Sequence, residues 1–548
     1  MIALLWLSGL LSRRSGRLLG AMVGVALTVG LLAAIGSFIA TSAATMTRRA
    51  IADVPVDWQI QLVPGASVNR VLSALGQSTG YTTSQTAGYA DVAGLVAQTN
   101  GTVQTTGPGK ALGLGPGYRQ AFPTQIRPLV GSADGVLLAQ QTAANLHAKV
   151  GDTIMINRVG LPPVSVRVNG VVDLPNADSL FQAIGVPAGA APQAPPDNVV
   201  ILPMSQWHQI FDPQATARPD SVRIQLHVRL AHNLPADPGA AYVAVQQRAH
   251  NLEARIAGSG IVGDNLAARF DGARSDALYA RVLFLFLGLP GVILAALLTF
   301  TIAASGQDRR RREQALLRVR GAPAAQILRL AALEALLVGL GGVIGGTALA
   351  LVVARLGSAG GATPASAWWW TAGAALTGAL LTVGAVVYPA WRQLRQPPGA
   401  AARTIVGRAR PAWWQRMYLD ILLLVAAAVA FFQVASSGYQ VVVAPEGVAQ
   451  SSVSYQSFIA PVCLWIGVAL LAVRVWEYGL QNGRGLLTRL LRPLGHELSG
   501  VVAASLGRQR VLLTRGVVLV ALAFSFAIST AVFNTTYNAQ SRVDAQLT

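Results

Sequence analysis

Between Thr301 and Gly346 the chain reads TIAASGQDRRRREQALLRVRGAPAAQILRLAALEALLVGLGGVIGG. An apolar run ends in four consecutive arginines, a short polar segment follows, and a Gly-Ala-Pro turn leads into a second apolar run rich in glycine. Arg309, Arg310, Arg311 and Arg312 are costly in hydrocarbon, so they mark a membrane boundary, and the positive-inside rule makes it the cytoplasmic one. The segment between the runs predicts an amphipathic helix from Arg312 to Arg320, a break at Gly321–Pro323, and a new helix entering the bilayer. Any fold for this chain must therefore hold two membrane spans joined by an ordered cytoplasmic element.

Charged residues make up 12% of the chain and hydrophobic ones 53%, whereas soluble domains carry about 25% charged residues. The formal net charge of +19 does not indicate nucleic acid, because the arginines cluster beside apolar runs rather than along one soluble face. The single cysteine, Cys463, lies in an apolar run. That excludes a disulfide framework or a zinc site built from cysteines.

A span needs about 20 mostly apolar residues. Windows at Leu18–Ala40, Leu278–Ala304, Ile327–Ala354, Trp368–Pro389, Tyr418–Val434, Phe458–Val475 and Gly516–Phe533 qualify, the fifth and sixth being the shortest. Arg13, Arg14 and Arg17 precede the first window. Arg318 and Arg320 join the four arginines after the second, Arg392, Arg395, Arg403, Arg408, Arg410 and Arg416 follow the fourth, and Arg484, Arg489, Arg492, Arg508, Arg510 and Arg515 follow the sixth. These are alternate loops, which predicts a cytoplasmic N-terminus. Trp368, Trp369 and Trp370 fit an outer aromatic belt. The N-terminal run also has the parts of a cleavable signal peptide, but it is long for one and more spans follow, so it is read as an uncleaved span.

The resulting division is 1–44 for an interfacial segment and first span, 45–277 for an outward-facing α+β domain, and 278–304 for the second span. Then come 305–326 for the cytoplasmic helix, 327–390 for spans three and four, 391–417 for a cytoplasmic linker, 418–476 for spans five and six, 477–515 for a cytoplasmic segment, and 516–548 for span seven and the start of a second repeat. In the outer domain, alternation predicts strands at Trp58–Val63, Thr153–Asn157, Val164–Val172 and Ser221–Leu230. The run GVLLAQQTAANLHAKVGDTIMIN reads as strand, helix, turn at Gly151–Asp152, strand. Ala183–Pro196 reads as a loop, and Tyr242–Ala257 and Asn265–Tyr279 as helices. The repeat is inferred from the first span matching the last: Leu11 meets Leu506, Arg13 meets Arg508, Val25-Ala26-Leu27 meets Val520-Ala521-Leu522, and Phe38 meets Phe533. Duplicated units are common in transporters, and on that reading a second outer domain is expected beyond Thr548.

Gly341, Gly342, Gly345 and Gly346 form overlapping G-x-x-x-G pairs that permit close helix packing, at a dimer seam or within one subunit. Pro290, between Gly288 and Gly291, predicts a bend, either a hinge or a static kink. Glu334, near the start of span three, predicts pairing with an arginine. His147, His208, His227, His232 and His250 are read as surface histidines, and no metal site is expected. No nucleophile–base or paired-carboxylate arrangement emerges from spacing, so no catalytic residue is assigned. No G-x-x-x-x-G-K-[ST] occurs, and Gly107-Pro108-Gly109-Lys110 lacks the first glycine and the Ser/Thr. An ion-coupled carrier is disfavoured because the spans hold almost no charge.

The order of features resembles the FtsX-like permeases, the membrane subunits of the MacB and LolC/LolE type of ABC transporter, and the resemblance implies a duplicated long form cut short. The residues that carry the resemblance are RRRREQALLRVRGAP at Arg309–Pro323, Glu334 and Gly339 in LEALLVGLGGVIGG, and VLLAQQTAANLHAKVGDTI in the outer domain. It covers about Leu7–Ala390 and restarts near Val501. It implies an α-helical polytopic membrane protein with a large extracytoplasmic α+β domain, like the MacB periplasmic core, between spans one and two. It implies that the cytoplasmic helix couples to a separate ABC ATPase, itself a dimer, through Arg312, Glu313, Leu316, Leu317, Arg318, Gly321 and Ala322. Leu316, Leu317 and Val319 would give the apolar contact, and Glu313 and Arg318 the orientation. ATP and Mg would be bound by that partner and no cofactor by this chain. The setting would be the bacterial cytoplasmic membrane, with the lipid bilayer and an extracytoplasmic substrate or partner as further contacts. The implied work is efflux or extraction of lipid, lipoprotein, peptide or drug. The alternative is mechanical signalling to a partner such as a cell-wall hydrolase. Spans five and six depart from the simple four-span members, and the second copy is incomplete.

Overall fold

The computed structural model describes residues 15–99, 101–182, 184–185, 195–305, 307–357, 364–395, 413–437 and 459–482, with scattered residues between 485 and 535. The chain divides into two compact units, Met1–Thr41 with Tyr279–Thr548 and Ser42–Leu278. The pairs Leu11–Leu506, Arg13–Arg508 and Phe38–Phe533 each have at least one member outside the described residues, as do most of the Ala183–Pro196 loop and the greater part of the linker after span four.

Among the described residues five helices are long and apolar enough to cross a membrane: Leu18–Ala52, Asn265–Ile302, Ala324–Leu356, Ser366–Leu394 and Cys463–Leu480. Leu419–Gln433 is a shorter apolar helix, and the seventh window is only partly described. The first span helix packs against the next three, and small residues let it do so. A methyl placed on Gly24 would sit 2.7 Å from Thr299 Oγ1 of the second span. One placed on Gly342 of the third span would sit 2.5 Å from Val25, and Gly378 of the fourth packs on Val29. Leu18, Ala21, Val25, Val29 and Ala33 share one core with Val338, Ala350 and Ala374. The helix Asn265–Ser305 continues through Pro290, which is buried. Gly288, two residues before it, packs on Ile35. Trp370 packs on Gly36 with Arg281 over its ring, while Trp368 and Trp369 are exposed.

The second unit is built on a sheet of twelve strands. They are β1 (Trp58–Leu62), β2 (Tyr81–Thr99), β3 (Thr102–Thr105), β4 (Gly109–Leu114), β5 (Arg127–Gly131), β6 (Leu137–Ala139), β7 (Thr153–Arg158), β8 (Val164–Arg167), β9 (Gly170–Asp173), β10 (Val199–Pro203), β11 (Val222–Leu230) and β12 (Gly260–Asp264). The order is β12-β1-β11-β2-β4-β10-β6-β9-β5, with β3 and β7 on the far half of β2 and β8 on β7. Most neighbours are antiparallel, but β10 runs parallel to β4 and β9 to β6. β2 changes partners where its register shifts between Val92 and Gly94. A side chain at Gly94 would meet the Thr106 carbonyl oxygen at 2.6 Å, so the crossing of β2 over the Thr106 turn requires glycine. The strand–helix–turn–strand reading holds: β6 runs into Gln140–Leu146, and Gly151 turns the chain at φ +99° into β7. Val164–Val172 is two strands rather than one, because the chain breaks at Val168–Asn169.

Candidate functional site

The helix between spans two and three runs Gln307–Val319, so it begins earlier than the predicted Arg312. Its end is set by glycine. Gly321 adopts φ +86°, its N–H donates to the Arg318 carbonyl at 2.9 Å, and Ala322 N–H donates to the Leu317 carbonyl at 2.9 Å. This is a Schellman cap, and Pro323 directly after it forbids continuation.

Burial divides the helix into two stripes at helical period. Glu313, Gln314, Leu317 and Arg318 are half-buried, whereas Ala315, Leu316, Val319 and Arg320 are exposed. Leu316 is 59% exposed and Val319 86%. The inward stripe is tied at two points. Arg310 pairs with Glu334 in the third-span helix, with side chains only 14% and 6% exposed. Arg318 Nη2 donates to the carbonyl of Leu394, the last residue of the helix Tyr388–Leu394, where a cation is favoured by the helix dipole. Arg318, expected to orient a partner, is thus engaged with its own chain. The Arg312 side chain lies outside the described part.

The glycine face of span three meets the first span of the same chain. A methyl on Gly346 would sit 2.7 Å from both the Ala26 carbonyl oxygen and Val29 Cβ. Gly341 faces Met22, and Gly345 faces Ala26 at a looser 3.4 Å.

One polar cluster was missed by sequence reasoning. Arg474 in the helix Ile459–Asn482 donates to Asp420 Oδ1 at 2.7 Å and to the Gln415 carbonyl at 2.9 Å. Gln415 Nε2 in turn donates to Glu477 at 2.7 Å. Asp420 opens the helix Leu419–Ser437 and is fully buried. The signal was available: Arg474 is an arginine inside the sixth apolar window.

In the outer unit His227 corrects the expectation of surface histidines, because it is wholly buried. Tyr118 Oη lies 2.6 Å from Nδ1, while Tyr89 Oη and Gln225 Oε1 each lie 3.2 Å from Nε2. Gln225 Oε1 accepts only, and Tyr89 donates to the Leu180 carbonyl. The network therefore assigns the proton to Nε2 and leaves Nδ1 to accept from Tyr118. Burial lowers the imidazole pKa to about 3 and raises both phenols. A cavity of about 530 Å³ lies on this face, lined in part by Tyr89, Asp91, Lys110, Arg223 and Gln225. Its lysine is paired with Asp91 and the histidine beneath is held neutral, so neither is placed as an acid or base for catalysis.

Comparison with protein families matches residues 18–252 to the MacB-like periplasmic core domain and residues 283–398 to the FtsX-like permease C-terminal. The chain belongs to the FtsX/MacB-type permeases. No individual curated protein matches it. The permease is accordingly a multi-pass membrane protein with a large extracytoplasmic α+β domain, in an ABC-transporter permease type of role. The FtsX-like match contains the Gln307–Val319 helix, both of its ties and the glycine face of span three.

Proposed function

We propose that this permease is the membrane subunit of an ABC transporter, docking a separate cytoplasmic ATPase on the helix Gln307–Val319. The N-terminus is cytoplasmic, and the membrane is the bacterial cytoplasmic membrane. ATP and Mg are bound by the partner, and this chain contributes no catalytic group. The work is done on the extracytoplasmic side, on a lipid, lipoprotein, peptide or drug. One observation carries the reading: a helix tied inward by Arg310 and Arg318 turns Leu316 and Val319 outward. Two exposed apolar side chains beside arginines suit a partner surface with an apolar pocket and an acidic rim.

The test is co-purification of the full chain with an ABC-type ATPase from its own cells, before and after the double change Leu316→Asp and Val319→Asp. Both positions are exposed, so the thermal midpoint of the permease should hold while retained ATPase falls at least tenfold. Undiminished ATPase on the double variant would remove the docking assignment.

A further inference from the structure

Resting on that docking reading, we propose that the Arg310–Glu334 pair is a transmission pin, the cross-brace through which a docked ATPase moves the third span. The covalent route from docking helix to third span is a turn. The helix stops at Val319, Gly321 takes a left-handed φ of +86°, and the next helix starts at Ala324. The turn's two cap hydrogen bonds run back to Arg318 and Leu317, so they fix the end of the docking helix and do not fasten it to the body of the next one. The ion pair bypasses the turn. Arg310 lies nine residues before the helix end and Glu334 ten residues into the next helix, so the brace closes a triangle whose apex is the turn. A buried charge pair resists separation, because each partner left alone in a dry site is strongly disfavoured. The second tie, Arg318 to the Leu394 carbonyl, reaches the inner end of the fourth-span helix. The two ties are eight residues apart, roughly 12 Å along the helix, and they end on different helices. A tilt of the docking helix therefore pulls both helices. Span three then bears on the first span through Gly342 and Gly346, where there is no slack for a methyl group. Arg310 and Glu334 are positioning residues; neither touches ATP or cargo.

The experiment uses the full-length permease in lipid nanodiscs with the ATPase that co-purifies with it. It compares Arg310→Gln, Glu334→Gln and the double variant. The readouts are retained ATPase, and the kcat and KM for ATP of permease-stimulated hydrolysis. A pin predicts that each single variant retains the ATPase and keeps KM within about twofold, while stimulated kcat falls roughly tenfold. It also predicts that the double variant falls no further than either single, because either single already breaks the brace. Should a single variant fold poorly, the double variant carries the test, since both charges of the pair are then removed together. Wild-type stimulation in the double variant overturns the pin, as do losses that multiply or a loss of ATPase retention alongside kcat. A wild-type permease that retains no ATPase brings down the docking reading and the pin with it. Loss of retention in the Leu316/Val319 variant together with full stimulation in the Arg310/Glu334 variant brings down the pin alone.

Discussion

Single atoms decide how closely the spans approach. Gly346 has the Ala26 carbonyl oxygen and Val29 at 2.7 Å from where its Cβ would be, whereas Gly373 has nothing within 4 Å. A backbone oxygen has no rotamer to yield, so a side chain at Gly346 must push two helices apart, costing on the order of 1–3 kcal/mol or more. Gly346→Leu should lower the thermal midpoint in detergent by several degrees, and Gly373→Leu should leave it within a degree. Equal midpoints for the two would sink the packing argument. The glycine face on span three was legible because G-x-x-x-G pairs stand out in an apolar run. Its partner was not, since the pattern fits a second copy and a neighbouring helix equally. Gly24 and Gly36 on the first span, which carry as much of the packing, have no pairing signature with their actual contacts, Thr299 and Trp370. Contacts between helices far apart in sequence leave no local trace.

At the scale of elements, the helix Gln307–Val319 was readable because its stop is local: Gly321 and Pro323 act on the residues beside them. Strand β11 shows the opposite case. Its alternation puts Val222, Ile224, Leu226, Val228 and Leu230 on one face and Arg223, Gln225, His227 and Arg229 on the other. Alternation of this kind predicts a solvated polar face. Yet β11 lies between β1 and β2 inside the sheet, and Tyr89, Tyr118 and Phe122 close over His227 in the middle of its polar side. Burial there has a pH signature. His227 has its folded pKa lowered from 6.5 to about 3, so stability is full above about pH 6.5 and declines as the pH falls, by roughly 2 kcal/mol at pH 5. Asp264 works the other way. Burial raises its pKa to about 7, the Ala267 amide and Trp58 indole pull it back, and the Asp57 and Glu253 charges push it up. Its cost is greatest above pH 7 and is relieved as the pH falls toward 3.8. The two slopes oppose, so the protection factors of β1 and β11 in the wild type, exchange rates divided by the intrinsic rate at each pH, should vary little between pH 7.5 and 5. Asp264→Asn should make these strands less protected at pH 5, and His227→Gln more protected. Variants that both shift in one direction would refute the assignment.

The whole molecule sets out charge by side. Arginine clusters fall in alternate loops, and on the proposed reading they put the Gln307–Val319 helix on the cytoplasmic side. Polytopic character was legible from composition alone, because 12% charge is too little to clothe a soluble chain of this size. The twelve-strand order was not legible: β2 is long and rich in Ala, Gly and Thr, and it serves four neighbours that no local pattern names. The lone cysteine gives direct access to sidedness. With Cys463→Ala as background, a cysteine at Val319, 86% exposed, or at Val103, 64% exposed, supplies the sole thiol. A membrane-impermeant maleimide added to intact cells should label Val103→Cys and spare Val319→Cys until the membrane is opened. Inverted vesicles should give the reverse. Docking of a cytoplasmic ATPase requires that asymmetry, because a helix on the outer face meets neither ATP nor its ATPase. Labelling of Val319→Cys from outside intact cells would therefore overturn the orientation, the docking site and the transmission pin in one measurement.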